Sequence, residues 1–514
     1  MADYTVTGNV DMSTLDLATI KNGTIDTNNS TTLVITATDG TVYTLTGNFT
    51  GGAGSTLPTG GDITGWSSSA TDGSTVDITG LDLSVKTFDH ALNTDNATNL
   101  QFEMFGGNDN FDAAAGTGDD VLTGYAGNDI FRFGGSFGGS DEVNGGGGYN
   151  TVMLNGNYHS GLTLAANALT NVQDLRLIGD HSYDITASAG SIVGVHGLLV
   201  DASQVGPGQT VDFNGSAESV NFDFDLTSLT NSTIVGGSGN NTFNGGGKND
   251  TLVGGAGNDR FFFGSQFDGT DSIDGGGGHN TVLLDGDYSA GLNFGANSLV
   301  NIQHLVLEGA NSYNLTLNSA NVTAVDTLTI VGHGLTSADS LIVNGAATSG
   351  NLIFQGGAST DNLTGGSGDN TFITGSGVET LTGLGAHDSF QFSSAANSTG
   401  PNFDTIDGFN ALNDHFVLGT HVTGLDTWVT TGSLSAATFN ADMSADLGSS
   451  QLTANHAVLF TPDAGTFAGD TFLVVDTNGQ AGYTAGQDVV IELNGPTHLA
   501  SLSTSNFLAH EFGG

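Results

Sequence analysis

The stretch GGSGNNTFNGGGKNDTLVGGAGNDRFF, residues 236–262, brings a glycine pair back every nine residues, at Gly236, Gly245 and Gly254. Runs of a few apolar or β-branched residues punctuated this often by Gly, Asn and Asp read as short strands joined by tight turns, not as helices. A fixed short period of this kind stacks one turn on the next and builds a solenoid.

The spacing also carries chemistry. Written G-G-x-G-x-D-x-U-x, with U a large apolar residue, the sixth position falls at Asp120, Asp129, Asp141 and Asn150 in a first block. It falls at Asn241, Asp250, Asp259, Asp271 and Asn280 in a second, and at Asp361, Asn370, Glu379 and Asp388 in a third. Asp109, in GGNDNF, adds one more after a short insertion. Every one of these side chains offers an oxygen. Two residues further on stands an apolar side chain each time: Phe111, Leu122, Phe131, Val143 and Val152; Phe243, Leu252, Phe261, Ile273 and Val282; Leu363, Phe372, Leu381 and Phe390.

Glycines allow the positive φ of a tight turn and let carbonyls turn towards a common point, while the carboxylate adds charge. The glycines placed to do so are Gly116, Gly118, Gly127, Gly145 and Gly147, then Gly236, Gly239, Gly245, Gly247, Gly254, Gly257, Gly275 and Gly277, and finally Gly365 and Gly368. Six or more hard oxygens without nitrogen or sulfur suit calcium better than zinc or copper.

Charge points the same way. Of 514 residues, 53 are acidic and six are Lys or Arg, a formal charge of −47 that opposes a compact state unless counter-ions are bound. Six scattered bases make no phosphate-binding face, which excludes a nucleic-acid partner. With no cysteine there is neither a disulfide nor a thiolate metal site. No apolar run is long enough for a spanning helix, so no transmembrane segment is expected.

The body of the chain is duplicated. Aligned without a gap, the stretch from Gly124 to Tyr183 and the stretch from Gly254 to Tyr313 are identical at more than half of their positions. Each unit joins a glycine-rich block to a longer segment of strand-like runs such as GLTLAA and LRLIG.

These residues resemble the RTX, or haemolysin-type, calcium-binding repeat proteins of Gram-negative bacteria, of which the nonapeptide is a recognised signature. The resemblance implies an all-β fold: a right-handed parallel β-roll or β-helix solenoid with N- and C-terminal β capping regions. Two nonapeptides would make one coil, so that each turn stacks on the next but one, with several Ca²⁺ ions between the stacked turns. Asn241 would pair with Asp259, Asp361 with Glu379, and Asn370 with Asp388. Asparagine at Asn150, Asn241, Asn280 and Asn370 keeps an oxygen and loses charge, which predicts weaker sites. Lys248, Ser359 and Ala386 stand where glycine is usual and are expected to distort their turns if positive φ is required there. Longer spacers, GSFGGS and GSQFDGT, predict bulges before Asp141 and Asp271.

The organisation expected is an N-terminal β-rich cap or assembly region (1–104), three calcium blocks (105–153, 236–283, 356–392), two calcium-poor β-helical segments (154–235, 284–355) and a C-terminal cap (393–514). No sustained helical periodicity is read before the C-terminal region. There, NFDTIDGFNALNDHFVLG, with Asp404, Asp407 and Asp414, resembles the segment that closes the roll in secreted RTX proteins, and the last residues, with Phe507, Leu508 and Phe512, an uncleaved type I secretion signal. The first residues, MADYTVTGNVDMST, carry no apolar signal-peptide core, in keeping with that route. Asp476, Asn478 and Gln480 are spaced as the first three ligands of an EF-hand loop, with Asp488 one residue too far for its last.

No catalytic motif emerges. There is no H-E-x-x-H, and Ser136 in GGSFG sits in a glycine loop whose second copy has Gln266. The expectation is a non-enzymatic, secreted, calcium-binding structural protein at the cell surface or outside the cell. It would form a homo-oligomer or polymer as a surface-layer, filament or matrix subunit and would use the type I secretion machinery as a partner. An adhesin or biofilm-matrix protein that binds cell-surface polysaccharide is the alternative, and a polysaccharide-acting enzyme a third.

Overall fold

The computed structural model describes residues 2–509 apart from 9, 10, 53, 117, 228–230, 248 and 386. Lys248, Ala386 and the terminal Phe512 therefore lie outside the described residues. The chain divides into two compact units, Met1–Asp259 and Arg260–Gly514.

The first unit opens with an antiparallel sheet. Strands Thr24–Asn28, Thr32–Thr36, Val42–Thr50, Gly60–Ser69, Thr75–Ser84 and Asp3–Gly8 pair in that order. Strand Asp3–Gly8 then pairs in parallel with Asn110–Gly116, so the cap hands its hydrogen bonds directly to the first coil of a solenoid. Apolar and polar residues alternate along these strands, which buries Leu33, Ile35, Leu45 and Trp66 on one face.

Two helices, Val85–Thr94 and Ala97–Met104, pack on this cap, contrary to the expectation that strands alone precede the C-terminal region. Ser84 Oγ accepts from Thr87 N at 3.1 Å and Asn96 Oδ1 from Asn99 N at 3.0 Å, which are ordinary N-caps. Val85, Phe88, Ala91 and Leu92 form the buried stripe of the first helix, and Phe88 meets Trp66 edge-on at 5.7 Å.

Beyond the cap the strands are parallel. On one face the inward residues stack as Phe111, Phe131, Val152, Leu175, Val200, Phe224 and Phe243. The steps differ in length. Ile234 stacks on Leu252, another face's step of just two nonapeptides, whereas Phe131 stacks on Val152 and Leu175 on Val200, both of which lie further along the chain than that. The second unit behaves likewise. Phe354, Phe372 and Phe390 follow one another at two-nonapeptide steps, with ring centroids at 5.0 and 5.2 Å, while the step from Phe390 to Phe416 is longer. The expectation of a uniform two-nonapeptide coil is thus corrected: it holds from Ile234 to Leu252 and from Phe354 to Phe390, whereas the first block, the step from Phe261 to Val282 after the second spacer, and steps such as Leu175 to Val200 use wider coils.

The extra residues are housed as the bulges expected before Asp141 and Asp271. Phe137 and Phe267 fold back from those spacers and are buried against Phe133 and Phe263 at 4.7 and 4.8 Å. The duplication survives in detail, since the stacked pairs Tyr158–Tyr183 and Tyr288–Tyr313 both lie at 5.9 Å. In the second unit the parallel sheet ends in an antiparallel hairpin, Thr471–Val475 with Val489–Asn494, over a cluster that includes Phe439, Met443 and Phe472. Among the described residues no helix is long and apolar enough to cross a membrane.

Candidate metal centre

In an extended segment residues two apart share a face. The sixth position of each nonapeptide therefore follows its apolar neighbour inward. All fourteen sixth-position side chains, from Asp109 to Asp388, are at most 3 % exposed, and all fourteen apolar partners are buried too. Carboxylates are rarely buried without compensation, so each must be held by something.

Part of the compensation is a ladder. The backbone N–H of one sixth-position residue donates to the side chain of its counterpart one coil on: Asp109 N to Asp129 Oδ1 at 2.8 Å, Asp129 N to Asn150 Oδ1 at 2.9 Å, and Asp120 N to Asp141 Oδ1 at 2.6 Å. Asn241 N reaches Asp259 Oδ1 at 2.7 Å and Asn370 N reaches Asp388 Oδ1 at 3.0 Å, so two of the expected pairs are in contact. The third, Asp361 and Glu379, lies in register on paired strands, one residue before Asn362 and Thr380. Asp250 Oδ1 takes the N–H of Ser232, and Asp271 Oδ2 that of Asp268.

The ladder also recruits residues that the nonapeptide pattern does not mark. Gln173 and Gln303 accept the N–H of Asn150 and Asn280, each at 2.7 Å, where a wider coil needs a longer side chain. Asp404 accepts from Glu379 N at 2.9 Å and Asp414 from Asp388 N at 3.1 Å, carrying both rows one coil past the third block.

Beyond this ladder, Asp and Asn differ sharply. Asn370 Oδ1 faces the N–H groups of Leu352 and Gly366, both at 3.3 Å, which turns its amide nitrogen into a cage of oxygens. That nitrogen donates to the carbonyls of Gly366, Gly368 and Gly383 at 3.0, 3.0 and 3.1 Å and to Asp388 Oδ1 at 2.8 Å. Asn241 does the same with Gly239 O, Gly254 O and Asp259 Oδ1 at 2.9, 3.0 and 2.9 Å. Asn150 and Asn280 donate to Asn171 O and Asn301 O at 3.1 and 3.0 Å. In Asn241 and Asn370 the side-chain oxygen is committed to backbone N–H groups and the NH₂ faces the carbonyls of the cage.

A carboxylate in the same place has an oxygen where asparagine has NH₂. Asp129 Oδ2 and Asp361 Oδ2 are buried with no hydrogen-bond partner, and the buried carboxyls of Glu379 and Asp404 face each other. Burial pushes Asp129 up to about 7 and Asp361 up to about 6. Glu379 is raised mainly by burial, and Asp404 by burial and then by the charge of Glu379. Orphaned, destabilised carboxylate oxygens facing turn carbonyls are what a hard cation would satisfy, and the residues present fit calcium.

The glycines are required by closeness as much as by φ. A Cβ on Gly124 would stand 2.2 Å from Asp129 Oδ2, and one on Gly383 would stand 2.0 Å from Asp388 Oδ2. Gly127 and Gly257 do have φ of +120° and +102°, but no glycine of the third block, from Gly356 to Gly385, is in the positive region. Ser359 is accordingly accommodated without strain, and the expected distortion does not occur there: it is buried and its hydroxyl donates to Asp361 Oδ1 at 2.5 Å. Among the described residues no three His, Asp or Glu side chains form a ready metal cluster, and the turn carbonyls beside the carboxylates are the further oxygens on offer.

Fold and site together define a parallel β-solenoid whose turns are lined with inward carboxylates and carbonyls for hard cations. Four stretches, residues 105–137, 235–269, 267–282 and 355–390, match the haemolysin-type family described as the RTX calcium-binding nonapeptide repeat, and the chain is thereby a carrier of RTX calcium-binding repeats. Asp141, Asn150, Asp404 and Asp414 fall outside the matched stretches yet join the same ladder. No curated protein and no solved structure matches the chain.

Proposed function

We propose that this is a secreted, non-catalytic structural protein whose solenoid is completed by calcium outside the cell and which then assembles into a surface layer, filament or extracellular matrix. The observation that carries the reading is the set of buried carboxylate oxygens left without partners at Asp129 and Asp361, with the facing buried carboxyls of Glu379 and Asp404, in a chain with six Lys and Arg against 53 acids. Where calcium is scarce, self-repulsion and these orphan oxygens oppose folding; where it is near millimolar, binding adds to folding free energy. Such a switch suits export of an unfolded chain by a type I system, the usual route of RTX proteins.

Assembly is supported by the cap. Strand Thr24–Asn28 stands at the edge of its sheet with Thr32–Thr36 as its partner among the described residues, and it is largely exposed. An open edge of this kind accepts a strand from another chain. The test is electron microscopy of purified protein before and after calcium is added. Sheets or filaments support the assembly reading, whereas monomers that bind cells or glycan would replace it with the adhesin reading, and glycan cleavage would overturn the non-catalytic role.

A further inference from the structure

Outside the matched repeats, one loop brings two acids together. The hairpin of Thr471–Val475 and Val489–Asn494 closes on the pair Val475 and Val489, so the next residues outward, Asp476 and Asp488, meet at the neck of the loop. Both are fully buried. Asp488 Oδ1 accepts from Thr477 N and Asn478 Nδ2 at 3.2 and 2.8 Å, and its Oδ2 from Thr484 N at 2.7 Å. Asp476 Oδ1 accepts from Gly479 N and Asn455 N at 2.7 and 3.2 Å, but its Oδ2 is buried with no hydrogen-bond partner. The charge of Asp476 helps to raise Asp488 to about 6, after burial. Arg260 is the last Lys or Arg of the chain, so the following residues supply no such base to neutralise the pair.

The spacing Asp476, Asn478, Gln480 fits the start of an EF-hand loop, and the position of Asp488, one residue late, has a structural reason. The loop ends on a strand rather than a helix, and the strand pairing sets Asp488 beside Asp476. We propose that Asp476 and Asp488, with oxygens of the loop between them, form a calcium site separate from the nonapeptide ladder that pins the C-terminal hairpin to its core. A cleft lined by Thr420, Thr477, Asn478 and Gln487 lies beside the loop. Tyr483, from the same loop, inserts among Leu434, Met443, Val474 and Val490, and its hydroxyl donates to Asn440 Oδ1 at 2.7 Å. An ion that orders the loop therefore orders the core beneath it.

The test uses the full chain and calcium alone. Asp476→Asn keeps the accepting Oδ1 and places an amide nitrogen at the orphan position, so the variant is expected to fold. Native mass spectrometry should count one calcium fewer than in wild type. Hydrogen exchange over residues 471–494 should slow with calcium in wild type and not in the variant, while residues 360–392 respond in both. Asp259→Asn should instead remove an ion from the second block and leave the response of 471–494 intact. An unchanged ion count in Asp476→Asn, or a wild-type hairpin indifferent to calcium while the repeats respond, would overturn the proposal. Should the variant not fold, the wild-type exchange titration decides by itself.

Discussion

Asn370→Asp exchanges one atom and should convert a self-satisfied rung into a calcium-dependent one. The native amide nitrogen makes four contacts of 2.8 to 3.1 Å, three to carbonyls and one to the Asp388 carboxylate. Aspartate replaces that donor with an oxygen facing the same four oxygens, one of them charged. Leaving a buried polar group without its hydrogen-bond partner costs about 1–3 kcal/mol, and more where the group is charged. At about 1.4 kcal/mol per factor of ten, hydrogen exchange over Thr371–Ile373 and Ser389–Phe392 should accelerate by roughly one to two orders of magnitude in chelator. A calcium concentration about 100-fold above the dissociation constant of the new site should restore about 2.7 kcal/mol. Native mass spectrometry should count one more ion than in wild type. If the variant exchanges like wild type in chelator, the amide is not the peg described here, and if calcium fails to slow it, the cage is not a cation site.

Further outcomes follow from the same geometry. Phe372→Ala removes the middle ring of a fully buried stack and should destabilise the second unit by about 3–5 kcal/mol, read as a lower urea midpoint. Gly127→Ala would set a Cβ 1.9 Å from the Gly107 carbonyl at a φ of +120°, and the variant should lose protease resistance in the first block even in calcium. The carboxyls of Asp129 and Asp361, raised to about 7 and about 6, hold protons more tightly folded than unfolded, where the ordinary value is about 4. In chelator their contribution to stability is therefore full below about pH 4 and falls as the pH rises towards 7, while in calcium acidification should instead release ions; urea midpoints across that range in both buffers check the reversal.

The repeat itself is legible because a period of nine fixes two inward positions at once: Asp129 and Phe131, or Asp259 and Phe261, need no tertiary information to be paired. The bulges at Phe137 and Phe267 are legible for the same reason, as breaks in that count. Coil length elsewhere is not, because Gln173 and Asp404 enter the ladder from spacers with no period to locate them. The helices Val85–Thr94 and Ala97–Met104 escape the pattern because each is short and packs on the cap, Phe88 of the first against Trp66. The orientation of Asn370 depends on Gly383, a coil away, and sequence spacing says only that an oxygen-bearing side chain is present. Ser359 fits without distortion because its position does not have a positive φ.

Whether cations complete the buried ladder is tested most directly by urea denaturation of the full chain, followed by circular dichroism, in chelator and in millimolar calcium. The predicted result is a β-sheet signal that is lost or melts at far lower urea in chelator and is recovered when calcium is restored. A denaturation curve identical in both buffers would contradict it, since the partnerless oxygens of Asp129 and Asp361 would then cost the fold nothing.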